Sequence, residues 1–267
     1  MKVLIACEES QEVCKAFRAR GHEAYSCDIQ EPSGGHPEWH ILGDALKALE
    51  GGQVVTMDGV THDVGKWDLL IAHPPCTYLS KAGANRLIVN GKIQEPRYEN
   101  GIRARDFFLK FWNSDVERIA IENPVPMKIW ELPQYSQIIQ PYMFGDPYIK
   151  TTCLWLKKLS MLFAADVVVP TSKWVSASDH RAKKTGDAWA KSGHRSAKVR
   201  SKTFPGIAKA MSEQWGKNEK HSDGAEVQAR RLHRLSRPPD GAGTCLLRRE
   251  TAPQGMVWQL AAVVCEN

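Results

Sequence analysis

Apolar runs of strand length punctuate the first two-thirds of the chain. Residues 2–7, KVLIAC, predict a first strand. After a polar turn, Val13, Ala16 and Phe17 recur at helical spacing, which predicts a helix over 12–20, stopped by Gly21. Residues 23–27, EAYSC, predict a second strand closing at Asp28. Strand, helix, strand in this order is the opening βαβ unit of a doubly wound sheet. Further strands are expected at 69–72, 118–121, 152–156 and 166–169, the last two as an antiparallel pair. Residues 31–40 read as a loop, with Asp44 in a turn beyond it, and 51–65 as a Gly-rich surface hairpin. Residues 84–101 read as a polar loop before an aromatic-rich helix over 102–112. Residues 136–144 begin helically and break at Pro141. A helix over 205–215 shows Ile207, Ala208, Met211 and Trp215 on one face. The fold class expected is α/β, with a doubly wound, mostly parallel sheet.

The stretch 68–83, DLLIAHPPCTYLSKAG, is the most informative. Four apolar residues run into Pro74-Pro75, which forbid the strand from continuing. Cys76 therefore falls on the loop leaving the carboxyl end of a central strand, the edge where open α/β sheets bind ligands. Residues 118–121 end in the same manner, in Glu122-Asn123-Pro124. Each strand end has a plain alternative: a buried structural thiol for Cys76 and a solvent-facing acid for Glu122.

Composition adds little until it is resolved along the chain. With 42% hydrophobic and 25% charged residues in 267, it is that of a globular protein. No apolar run approaches the ~18 residues of a membrane span, and acids follow the first apolar residues directly, so a cytoplasmic location is expected. The seven cysteines are odd in number and widely spaced, with no CxxC, which argues against a disulfide framework and against a structural metal site. The net charge of +6 is concentrated: residues 171–217 hold 11 basic and 3 acidic residues, whereas 1–170 hold 18 and 21. Within 171–202, Trp174 and Trp189 are interleaved with Lys173, Arg181, Lys183, Lys184, Arg195 and Arg200. Such a strip suits gripping of a nucleic-acid backbone, and equally a solvated loop. Residues 1–217 are expected to form the main domain, and 218–267 a tail of no assigned role.

An acid closing the second strand, here Asp28, suits the ribose hydroxyls of a nucleotide cofactor. The first turn, Ala6 to Ser10, lacks the G-x-G-x-x-G fingerprint and carries Glu8 and Glu9, which would repel a pyrophosphate. A cationic cofactor fits those acids better, which favours S-adenosylmethionine over NAD.

Together the strand-end motifs resemble those of the DNA cytosine-5 methyltransferases, in particular small phage- and prophage-borne members without a large target-recognition domain. The matching residues are Asp68, Leu69, Leu70, Pro74, Pro75, Cys76, Leu79, Ser80, Ala82 and Gly83, followed by Glu122-Asn123, with Asp28 and Asp44 in the family's order. The resemblance covers roughly residues 1–216. His73 stands where a small residue is usual, Thr77 where Gln is usual, and Pro124 where Val is usual. No Gln-x-Arg-x-Arg strand is present, and Lys150 is the nearest basic substitute.

The resemblance implies the methyltransferase version of the doubly wound fold, S-adenosylmethionine as cofactor and DNA as partner, the target base flipped out or single-stranded. It implies Cys76 as nucleophile on cytosine carbon-6, Glu122 at ring nitrogen-3 with a raised pKa, and Asn123 orienting the loop. Ala6, Cys7, Glu8, Asp28, Asp44 and Pro74 would line the cofactor. The basic residues of 171–202 would hold DNA. Rival readings are an amino-methyltransferase, which His73-Pro74-Pro75-Cys76 misses at both ends, and a zinc deaminase, which lacks its second cysteine after Cys76. A catalytically silent nucleic-acid-binding protein on the same fold is the third.

Overall fold

The computed structural model describes residues 1–173 and 201–217, all within one compact unit, Met1–Lys217. Its framework is a seven-stranded sheet. The strands are β1 (Lys2–Ala6), β2 (Glu23–Asp28), β3 (His40–Leu42), β6 (Leu69–Ala72), β9 (Arg118–Asn123), β10 (Gln137–Ile139) and β12 (Thr152–Lys157), in the order β10-β12-β9-β6-β1-β2-β3. Pairing is parallel from β3 through β9. β12 runs antiparallel between β9 and β10. The doubly wound, mostly parallel sheet expected from the sequence is thus present.

All four residues of β6 are buried, as a strand covered on both faces requires. Alternation along β1 divides the core. Leu4 and Ala6 join Ala45 and Ala48 of α2 (Ala45–Leu49) and Phe108 and Phe111 of α4 (Glu95–Trp112). Val3 and Ile5 join Val13 and Phe17 of α1 (Glu12–Arg18) and Ile207 and Met211 of α5 (Pro205–Trp215). Each such Leu, Ile or Phe contributes about 1.5–3 kcal/mol by leaving water, so two helix layers hold the sheet in place.

Several elements differ from expectation. Residues 84–101 are not a loop: they form a short helix α3 (Ala84–Leu87), a small hairpin of β7 (Ile88–Val89) and β8 (Lys92–Ile93), and the first two turns of α4. Pro96 near the start of α4 supplies the fixed φ that a first helical turn needs. Gly101 is tolerated mid-helix because the Trp130 ring lies where a side chain would project. Residues 137–139 are a strand rather than a helix. Gln137 fixes its edge by holding the backbone of Leu162 from both amide atoms, at 2.7 and 2.9 Å. No strand forms over 166–169. That segment bonds instead to the turn at 141–144, through Ala165 N–H to Met143 O and Val168 N–H to Tyr142 O, both at 2.9 Å. β12 therefore finds its antiparallel partners in β9 and β10. His40–Leu42, read as the end of a loop and the approach to a turn, is the outermost strand. The expected hairpin over 51–65 is present as β4 (Gly52–Val55) and β5 (Thr61–Gly65).

Candidate active site

The chain runs from β1 outward to β3, then returns to β6 on the other side of β1. The carboxyl ends of β1 and β6 therefore flank the point where winding reverses, where a crevice opens in doubly wound sheets. The loops leaving β1, β6 and β9 converge there.

The Cys76 loop is held at several points. Pro74 and Pro75 end β6, and the N–H groups of Leu79 and Ser80 both reach back to the Cys76 carbonyl, at 3.1 and 3.0 Å. This tight turn buries Leu79 and Ser80, which accounts for their spacing from Cys76. The loop then pairs with the one leaving β9. Lys81 N–H donates to Val125 O at 2.9 Å, and Met127 N–H to Leu79 O at 2.8 Å. Buried Asn123 donates Nδ2–H to the Pro74 carbonyl at 2.7 Å. From the other side, Arg97 of α4 donates to the Thr77 carbonyl at 2.8 Å and lies over the Tyr78 ring. Cys76 itself is half-buried within this frame.

Glu122, at the end of β9, does not have the raised pKa expected of it. Burial alone would raise it. The His73 hydrogen bond, together with the charges of Lys150 and His73, outweighs that and holds the carboxyl below its usual range. His73 Nδ1 lies 2.8 Å from Glu122 Oε2, with side chains only 10% and 12% exposed. On the imidazole, burial opposes protonation, but the Glu122 bond and the negative charges of Glu122 and Glu8 prevail and raise its pKa. The two shifts, upward for the imidazole and downward for the carboxyl, are those of a hydrogen-bonded pair in which each group favours the charged form of the other.

The β1–α1 loop also departs from expectation. Glu8 is buried, and its carboxylate accepts the N–H groups of Val13 at 2.7 Å and Cys14 at 3.2 Å. It serves the open amides at the start of α1, whose N-cap residue Gln11 is left-handed, with φ 59°, and makes no side-chain cap. Both oxygens of the Glu8 carboxylate thus serve the start of α1, a use that its spacing in the sequence did not suggest. Cys7 follows β1 with φ 60°. Burial raises its thiol pKa well above the usual range, and the charges of Asp28, Cys27 and Asp44 add to this. That mutual influence places Asp28 and Asp44 around the end of β1. Burial likewise pushes the Cys27 thiol up to about 12 and Cys153 up to about 11. Such thiols are poor nucleophiles.

Asp28 accepts the Gln30 N–H at 2.9 Å, and Asp44 accepts the Leu46 N–H at 2.9 Å as cap of α2. Beside these acids, Ile29 is 80% and Leu42 46% exposed. Two carboxylates beside exposed apolar side chains fit the ribose and base of an adenosyl cofactor. Ala6, Cys7, Asp28, Asp44 and Pro74 lie at the strand ends and on the loops of this edge, and Glu8, on the same β1–α1 loop, bonds to the start of α1. Among the described residues no group of three or more His, Cys, Asp or Glu is arranged to hold a metal ion.

Of the basic residues expected to hold DNA, Lys173 lies in a two-residue strand, β13 (Ser172–Lys173), parallel to β11 (Tyr148–Ile149). This backbone pairing sets it opposite Ile149, next to Lys150. Arg181, Lys183, Lys184, Arg195 and Arg200, with Trp174 and Trp189, lie outside the described residues, as does the tail over 218–267.

No family model and no curated protein matches this chain. Solved structures similar to it include a protein described as a DNA modification methyltransferase encoded within a prophage (E. coli), at TM-score 0.36 and 12% identity, covering 63% of this chain and 52% of that one. The Entamoeba histolytica methyltransferase EhMeth has TM-score 0.34 and 13% identity, covering 65% of this chain and 57% of that one. The S. pombe Dnmt2 methyltransferase has TM-score 0.30 and 15% identity, covering 58% of this chain and 48% of that one. The chain thus spans about half the length of these structures.

Sequence reasoning missed two residues of this site. His73 registered only as a departure from the motif, yet it is the partner of Glu122. Its signal was a histidine at the end of one central strand and an acid at the end of another. Arg97 lay in a segment read as loop, and nothing in its spacing tied it to Thr77.

Proposed function

We propose that this chain transfers a methyl group from S-adenosylmethionine to carbon-5 of cytosine in DNA, through a covalent adduct at Cys76. The observation that carries the reading is the convergence of the Cys76 loop and Glu122-Asn123. They leave two paired parallel strands, joined by Asn123 to Pro74 at 2.7 Å.

Cytosine carbon-5 is a poor nucleophile until a thiolate adds at carbon-6, and cysteine is the side chain suited to that addition. Cys76 supplies the sulfur. Glu122 meets nitrogen-3 and the exocyclic amino group, where charge builds during attack. Asn123 keeps the Pro74-Pro75 segment in place, and Arg97 and the 125–127 backbone brace the rest of the turn. A stacked base cannot present carbon-6, so the cytosine is flipped out or single-stranded. Asp28 and Asp44 would hold the cofactor's adenosine, with Ala6, Cys7 and Pro74 alongside; when bound, it supplies an electrophilic methyl group. Loss of the carbon-5 proton then allows Cys76 to leave. Lys173, Arg181, Lys183, Lys184, Arg195 and Arg200 would neutralise phosphates.

One observation favours a second reading, a silent nucleic-acid-binding protein: Glu8 is committed to α1, which leaves the methionine end of the cofactor one acid fewer. DNA containing 5-fluorocytosine separates the readings, because fluorine at carbon-5 prevents release of the enzyme. With S-adenosylmethionine present, a denaturation-resistant adduct is expected, and Cys76→Ser should abolish it. DNA binding without adduct or cofactor affinity would support the silent protein. Methyl labelling of DNA that survives Cys76→Ser would point to an amino-methyltransferase.

A further inference from the structure

Attack on cytosine demands a proton at nitrogen-3, and the Glu122 carboxyl, held below its usual range by the His73 hydrogen bond and the Lys150 and His73 charges, is a poor store for one. The nearest proton is on its partner. His73 Nδ1 sits 2.8 Å from Glu122 Oε2. His73 Nε2 is buried and has no hydrogen-bond partner among the described residues. A neutral imidazole carrying its one proton on Nδ1 would suit that geometry if stability were the only concern. Instead the site surrounds the ring with charge: Glu122 on β9, Glu8 in the β1–α1 loop, and Lys150 ahead of β12. The bond and charge of Glu122 and the charge of Glu8 raise the ring's affinity for a second proton, against the opposing effects of burial and Lys150. The backbone that carries the ring is fixed as well, since the main-chain N–H of His73 donates to the Ala6 carbonyl at 2.9 Å.

Resting on the cytosine methyltransferase reading, we propose that His73 is the positioning residue that stores the proton for nitrogen-3 and delivers it through the Glu122 carboxyl. The step balances. The Cys76 thiol has lost its proton to solvent before attack. As the S–C6 bond forms, the C5=C6 pair shifts to C4=C5, and the C4=N3 pair moves onto nitrogen-3. The Nδ1–H bond of His73 breaks and an N3–H bond forms, with the Glu122 carboxyl taking up one proton and passing it on. The imidazolium becomes a neutral imidazole, and the thiolate charge is cancelled on the ring. Expulsion of Cys76 returns the proton along the same route. A histidine at position 73, in place of a small residue, thus gives Glu122 a local acid.

The test follows the adduct of the full chain with 5-fluorocytosine DNA in the presence of S-adenosylmethionine, across pH 6–9, for wild type, His73→Gln and His73→Ala. Glutamine keeps a donor to Glu122 but carries no titratable proton. His73→Gln is expected to slow adduct formation by about 100-fold at neutral pH, the lower end of what positioned proton transfer supplies. Its DNA affinity should not change. The wild-type rate should fall on an alkaline limb that His73→Gln lacks, and imidazole should restore part of the rate to His73→Ala. Equal rates and equal pH profiles for wild type and His73→Gln would overturn the storage role while leaving the Cys76 adduct intact. Absence of a Cys76 adduct in wild type would overturn the methyltransferase reading and this proposal with it. Should the variants fail to fold, the nitrogen-15 shifts of His73 in the wild-type protein decide: a doubly protonated ring at pH 7 supports the proposal, and a neutral ring overturns it.

Discussion

The Asn123 side chain donates to the carbonyl of Pro74 at 2.7 Å and so ties the end of β9 to the end of β6. The bond is buried, and Pro74 precedes a second proline that has no N–H of its own to offer. Asn123→Ala leaves the Pro74 carbonyl without this donor, a loss of about 1–3 kcal/mol for a buried group. For a domain of this size that corresponds to a melting temperature lower by roughly 2–12 °C. Asn123→Asp should cost more, since it sets an acceptor against an acceptor. Thermal melting of both variants, beside wild type, checks the order.

The His73–Glu122 pair predicts a window of pH in which it stabilises the fold. The histidine's pKa is raised above 6.5, so its contribution is complete below about 6.5 and is lost as pH rises through the folded value. The glutamate's is lowered below 4.5, so its contribution is present above about 4.5 and is lost as pH falls through the folded value. The pair should therefore help most between roughly pH 4.5 and 6.5. The stability difference between wild type and His73→Gln, measured by urea unfolding at each pH, should be greatest in that window and shrink on both sides. A difference flat from pH 4 to 9 would show that the pair is not ionised.

Arg97 makes a separate prediction about the nucleophile loop. Its guanidinium donates to the Thr77 carbonyl at 2.8 Å and covers the Tyr78 ring, from a helix rooted in the core by Phe108 and Phe111. Lysine cannot reproduce a planar group that both donates and stacks. Arg97→Lys should cost only about 1 kcal/mol of stability, the value of one hydrogen bond. If Cys76 is the nucleophile, adduct formation should slow by about tenfold or more, because small misplacements at a reacting centre are costly. A rate unchanged by Arg97→Lys would mean that the 125–127 backbone alone fixes the turn.

What could be read from the chain was whatever local chemistry decides. β1, β6 and β9 announce themselves because strands buried on both faces must be continuously apolar, and prolines mark the end of β6. The three-residue strands at 40–42 and 137–139 are too short to display a period, and their pairing is set by neighbours far away in sequence. The exposed Val167 and Val169 looked like a strand because β-branched residues usually are one, yet the backbone of this segment bonds, at Ala165 and Val168, to the turn at 141–144. In the site, Cys76, Glu122 and Asn123 lay at strand ends visible in the sequence. The pairing of His73 with Glu122 was not visible, because it depends on which carboxylate lies within reach once strands 49 residues apart are side by side, and the inward turn of Glu8 was not, because it answers to the uncapped start of α1.

The adenosyl edge can be tested apart from DNA. Asp28 is half-buried at the end of β2, with one carboxylate oxygen accepting the Gln30 N–H and exposed Ile29 beside it. Replacing it by Asn keeps the shape and one acceptor but removes the charge that would favour two ribose hydroxyls at once. Hydrogen bonds to a charged group contribute about 1.5–3 kcal/mol each, so Asp28→Asn should weaken S-adenosylmethionine binding by about 10- to 100-fold in titration calorimetry. Glu8→Gln should leave that affinity nearly unchanged and lower the melting temperature instead, because its carboxylate serves α1. If the two variants exchanged these effects, with Glu8→Gln abolishing binding and Asp28→Asn silent, the cofactor would have to be placed against the β1–α1 loop rather than at the ends of β2 and β3.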